Sequence, residues 1–217
     1  MSRATQAPPE FRTVADLLHR LGDVPPDRVR LRPTPGTATE RDLLKPEAKL
    51  CELVEGVLVE KPMGLVESML TMELAMYLVA FVKRHHLGVV TGPDGTIRLM
   101  PGLVRIPDIA FISWERLPGR RAPTTTFLDL GPDLAIEVLS KGNTRREMER
   151  KLREYFAAGT RLAWLIDPRT RSAWVHTSPE AVTKLGADGT LDGGDILPGF
   201  ALRLVELFEC LDRGQDG

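Results

Sequence analysis

Apolar positions along the chain recur with two different periods, and the points where the period changes mark the elements. Cys51-Glu-Leu-Val54 and Val57-Leu-Val59 flank Glu55-Gly56, two short runs across a tight turn, which predicts a β-hairpin. Beyond Met63-Gly64, the residues Leu70, Leu74, Leu78 and Phe81 recur at i, i+4, i+8 and i+11. That spacing gives one stripe on a long helix from about Leu65 to His86. A turn at Gly92-Pro-Asp-Gly95, a strand over Ile97 to Met100, a Pro101-Gly102 turn and a strand running through Pro107-Asp108 to Ser113 follow. Arg116 to Asp129, with two prolines and three threonines, reads as a long loop of the kind that often serves function. Leu134 to Leu139 is nearly all apolar, as in a strand covered on both faces. Asn143 or Thr144 then caps a helix from about Arg145 to Ala158, which Gly159 stops. Leu162 to Ile166 and Ser172 to His176 read as strands, Gly186 to Gly194 as a polar hairpin, and Leu204 to Leu211 as a last helix. Residues 1–40, broken by Pro25-Pro26 and Pro33-Thr-Pro-Gly36, form an N-terminal extension with one short amphipathic segment, Val14 to Leu21. The order predicts an α/β fold: a central mixed β-sheet flanked by helices, over residues 41–217.

Two charges break this pattern. Asp108 opens one apolar strand and Glu137 sits inside another, Leu134-Ala-Ile-Glu-Val-Leu139. A buried carboxylate is costly unless compensated. Two of them can share a hard divalent cation, which takes oxygen ligands and keeps positions open for phosphate and water. The alternatives are a Glu137 held by an arginine such as Arg105 and an Asp108 that caps its strand.

Composition restricts the partners. The chain has 217 residues, 42% hydrophobic and 27% charged, enough for one full core. Net charge is −1, so nucleic-acid binding would need a local patch. Arg116, Arg120, Arg121, Lys141, Arg145, Arg146, Arg150 and Arg153 could form one, though the interleaved Glu147, Glu149 and Glu154 suit a salt-bridged helix equally well. Two cysteines, the absence of a signal-like start and no apolar stretch of spanning length point to the cytoplasm and away from a membrane.

The stretches Arg105-Ile-Pro-Asp-Ile-Ala-Phe111, Pro132-Asp-Leu-Ala-Ile-Glu-Val-Leu-Ser140, Lys151-Leu-Arg-Glu-Tyr-Phe-Ala-Ala-Gly159, Trp164-Leu-Ile-Asp-Pro168 and Pro198-Gly-Phe200 carry a resemblance. Over residues 47–211 the chain resembles the Uma-two family of restriction endonucleases, within the PD-(D/E)XK nuclease superfamily. The resemblance implies a restriction-endonuclease-like fold and metal-dependent cleavage of DNA with Mg²⁺ or Mn²⁺. It implies Asp108 and Glu137 as metal ligands, with the Val138 carbonyl as a third. The superfamily's usual lysine position is Leu139 here, and the Uma-two pattern points instead to Lys151 on the next helix. Independently, at about 100° per residue Lys151 borders the apolar stripe of Met148, Leu152, Tyr155 and Phe156, while Arg146, Arg150 and Arg153 point away. Lys141 is the rival, and a snorkelling stem is the other reading of Lys151. Lys151 would orient or deprotonate the attacking water, or offset charge on the phosphate, and its loss should cost little stability. Glu67, on the face of Leu74 and Leu78, is a further candidate near the metal or else a first-turn glutamate favoured by the helix dipole. DNA is the expected substrate and a homodimer would cut both strands. The alternative function is a nuclease-fold module that binds nucleic acid or regulates without catalysis.

Overall fold

The structure, a computed structural model, describes residues 10–62 and 64–212. Strands β1 (Cys51–Val54) and β2 (Val57–Glu60) form the expected hairpin. Glu55 and Gly56 both take positive φ (50° and 69°), as a two-residue hairpin turn requires. The hairpin belongs to a four-stranded sheet of order β2-β1-β5-β4, with β4 at Ile97–Met100 and β5 at Leu103–Arg105. A second, mixed sheet has six strands: β3 (Gly88–Thr91), β6 (Ile109–Ser113), β7 (Leu134–Val138), β8 (Leu162–Asp167), β9 (Ser172–His176) and β10 (Val182–Leu185). Its order is β10-β9-β8-β7-β6-β3, and only the β7–β8 pair is parallel. A parallel pair needs a crossover, which helix α3 (Arg145–Ala157) supplies. The sequence pattern predicts strands but not how they divide between sheets, because partners distant in sequence leave no local mark.

The glycine-rich stretch after β10 is not a hairpin. Strand β11 (Thr190–Asp192) turns away from β10 and pairs with β12 (Ala201–Arg203), which leads into α4 (Leu204–Phe208). The long loop after Arg116 contains a 3₁₀ turn at Pro118–Arg120 and returns along β4, where the Arg98 N–H donates to the Leu128 carbonyl.

Side-chain parity divides the six-stranded sheet into two faces. Leu134, Ile136, Val138, Ile109 and Phe111 face one core, capped by α2 (Leu65–Arg84) through Leu70, Leu74, Leu78 and Val82. By length and apolarity alone α2 would pass for a membrane span, but this stripe lies in the main core. Ala110, Ile112 and Ala135 face the other way, toward the four-stranded sheet and α1 (Val14–Arg20). The N-terminal segment therefore covers this second core with Leu17, Leu21 and Val24. Gly22 (φ +89°) lies against the α3 backbone, where an added Cβ would stand 2.7 Å from the Glu147 Cα.

Candidate active site

Parity alone gathers the charged residues. Ile109 pairs with Ile136, so one further step of the antiparallel register sets Asp108 opposite Glu137, on the face of Ala110 and Ala135. From the facing sheet, Glu52 shares the parity of Val54, Arg105 that of Leu103, and Lys61, just past β2, that of Val57 and Val59. Helix α3 lies alongside with Lys151 and Tyr155 buried. Its position is fixed by a capping box, in which the Thr144 hydroxyl accepts from the Glu147 N–H and the Glu147 carboxylate accepts from the Thr144 N–H.

Lys151 Nζ lies 3.1 Å from Glu137 Oε1 and 3.0 Å from Glu52 Oε1, and its side chain is 1% exposed. Tyr155 donates its hydroxyl proton to the same Glu137 Oε1 at 2.6 Å. Among the described residues no hydrogen bond reaches Glu137 Oε2. Arg105, the alternative partner for Glu137, is committed elsewhere: it pairs with Glu52 at 2.7 Å and Glu154 at 2.6 Å. Asp108 Oδ2 accepts from the Val138 N–H at 2.6 Å, and Oδ1 lies 2.8 Å from Lys61 Nζ. Val138 thus meets Asp108 through its N–H. Arg28, from the N-terminal segment, forks onto both oxygens of Glu147 at 2.7 and 2.9 Å.

These contacts push the titrations in opposite directions. Burial raises Glu137; Lys151 works against that rise, and Asp108 adds to it by repulsion. Glu52 is equally buried, yet Lys151 and Arg105 together hold it down at about 2. Burial disfavours a charged Lys151, but Glu137, Glu52 and Glu147 outweigh it and raise its pKa, so the ammonium stays protonated. A lysine held in this state supplies positive charge to the site. Its removal is costly, because it would leave two sealed carboxylates short of a partner.

The remaining candidates are more exposed. Glu67 is half-buried at the start of α2, and with Lys61, Lys141, Arg28 and Arg169 it lines a cleft of about 700 Å³. Lys141 is exposed on that cleft and makes no contact with either site carboxylate among the described residues. The basic patch is largely paired: Arg145 with Glu149, Arg146 with Asp23, and Arg150 with Glu154 and Glu55. The long loop lines neither this cleft nor the ion cluster.

Sequence reasoning missed Glu52, Lys61, Tyr155 and Arg28. Glu52 carried the same signal as Glu137, an acid inside an apolar strand. Tyr155 counted as part of an apolar stripe, although a buried phenol needs a partner. Lys61 and Arg28 show nothing locally, since their partners lie 47 and 119 residues away in sequence.

No set of three or more His, Cys, Asp or Glu side chains among the described residues is arranged to hold a metal ion. The oxygens of Asp108 and Glu137 nonetheless fit a hard cation that completes its shell with water and phosphate.

No curated protein matches the chain. A solved structure does: a putative nuclease from Anabaena variabilis ATCC 29413, described as belonging to DUF820, superposes with a TM-score of 0.66 at 22% identity. The match covers 74% of this chain and 90% of that one, and it shows the shared fold. The family model Uma2, described as "Putative restriction endonuclease", matches residues 39–205, which include β1, β7, α3 and every charged residue of the cluster except Arg28. With most of its length and its charged sheet interior inside that match, the chain belongs to the Uma2 family.

Proposed function

We propose that this protein is a metal-dependent endonuclease that hydrolyses phosphodiester bonds in DNA, with Asp108 and Glu137 holding Mg²⁺ or Mn²⁺. The observation that carries the reading is their placement on one face at adjacent strand ends, with Glu137 still raised by burial and by Asp108 beside a protonated lysine. Added positive charge between them relieves both causes. When bound, the metal supplies polarisation of the scissile phosphate and an acidified water. Lys151 and Tyr155 fix Glu137 through Oε1. The positive charge on Lys151 would offset negative charge that develops at the phosphate. Lys141 and Arg169 on the cleft wall would attract the backbone, and Glu67, on the same wall, would orient a water. A homodimer would bring two such sites to one duplex. A chain with only two cysteines suits a cytoplasmic address.

A second reading, a module that binds nucleic acid or regulates without catalysis, is favoured by one observation: Asp108 and Glu137 each already face a cation. Incubating plasmid and single-stranded DNA with the protein in Mg²⁺, Mn²⁺ or a chelator separates the two. Nicking is expected only with metal, and Asp108→Ala should reduce it by about 10²-fold or more. DNA bound but uncut in both metals supports the second reading, and undiminished cutting by Asp108→Ala removes the first.

A further inference from the structure

Lys61 stands where the buried ion cluster meets the cleft. Its Nζ lies 2.8 Å from Asp108 Oδ1 and donates to the Ile106 carbonyl at 2.7 Å, with the side chain 5% exposed. Unlike Arg105 and Lys151, which are sealed between the sheets, Lys61 is also part of the cleft wall. Charge in the cluster is balanced. The acids Glu52, Asp108, Glu137 and Glu147 are matched by Arg28, Lys61, Arg105 and Lys151, and the edge pair Glu154 and Arg150 adds one of each. Two further positive charges entering so dry a space would repel those already there. A lysine, a compact charge on a flexible four-carbon stem, can withdraw its ammonium without backbone movement, whereas the forked Arg105 is tied at both ends.

We propose that Lys61 is a resident counter-cation on Asp108 that a divalent metal displaces into the cleft, so that the metal binds in exchange for an ammonium. The inference rests on the metal reading above and deepens it: Lys61 sets the metal affinity of the site. It is a positioning residue, acting through Asp108, and its effect has a sign that a purely structural lysine would not give. Removing a structural lysine loosens a site and weakens metal binding. Removing a competitor strengthens it.

Calorimetric titration of Mn²⁺ at fixed pH, without nucleic acid, tests this on the full chain and on Lys61→Met and Lys61→Gln. The glutamine variant keeps a donor for the Ile106 carbonyl should the methionine variant fail to fold, and thermal melts check both. The expected result is Mn²⁺ binding tighter by about tenfold or more in the folded variants, with Lys61→Arg no tighter than the natural chain. Equal or weaker binding in the variants overturns the displacement while leaving the metal reading in place. Mn²⁺ binding by none of the proteins overturns both.

Discussion

Asp133 just precedes β7 and Glu137 lies within it, four residues on; both are buried, yet their surroundings drive them in opposite directions. Burial would raise Asp133, but the Ser113 N–H at 2.8 Å and Arg161 at 2.7 Å hold it below the usual carboxylate range, with Arg116 adding to the effect. Glu137 has a lysine at 3.1 Å and a phenol at 2.6 Å and is still raised. Burial is the largest push on Glu137, and the other acids nearby add to it. Asp133 has its arginines to itself, while Glu137 shares Lys151 with Glu52 and faces Asp108. On the metal reading proposed above, Asp133 belongs to the scaffold and Glu137 is the acid that takes a cation.

The largest effect should separate the two acids by assay. Glu137→Gln is expected to lower DNA cleavage by about 10²-fold or more while leaving the melting temperature unchanged or higher, since it removes a charge that burial opposes. Asp133→Asn should do the reverse, costing about 2 kcal/mol in urea unfolding with cleavage per folded molecule preserved. Equal losses of cleavage in both variants would erase the distinction.

Lys151→Met comes next, because it touches both sides of the comparison. Cleavage should fall by about 10²-fold and stability by about 3 kcal/mol, the latter from stranding Glu52 and Glu137. The two buried ion pairs argue for a larger stability cost than the helix wheel alone suggests. Lys141→Met, exposed on the cleft, should change stability negligibly and cleavage only a few-fold, as measured in the same two assays.

The smallest effect is in pH. Glu137, raised in the fold, binds its proton more tightly there than in the unfolded chain, so stability grows as pH falls through its folded value toward the ordinary 4.5. Glu52, held at about 2, contributes stability above 4.5 that is lost as pH falls from there toward 2. Glu147 and Asp133, also lowered, reinforce that loss. Melting temperature should therefore fall as pH drops below 4.5, and Glu137→Gln should weaken the loss of stability with rising pH above 4.5 while leaving the acid limb in place.

How much of this was legible without coordinates follows from how far apart the partners lie. The strands, α2 and α3 declare themselves by period, and Asp108 and Glu137 by interrupting an apolar run. Lys151 shows itself by its place on the helix wheel, because one helix contains the whole comparison. Nothing local says that β1 and β7 face each other, so the pairing of Lys151 with Glu52, and of Lys61 with Asp108, appears only once the two sheets are stacked. The same limit misassigned the Gly186 to Gly194 stretch: its turn residues are real, but β11 finds its partner in β12.

The grip of Arg28 on Glu147 has a practical consequence for anyone shortening the chain. The family-matched portion begins at residue 39, and a fragment cut there looks tidy on paper. It would leave behind the guanidinium that neutralises Glu147, the Gly22 carbonyl that accepts from Thr144, and the Leu17, Leu21 and Val24 cover over the second core. The first two losses fall on the first turn of α3, the helix that carries Lys151 and Tyr155, and the third opens the core in which Tyr155 packs. Trimming to the family boundary would thus loosen the mounting of those two residues from a distance, and an inactive fragment would say nothing against the intact protein.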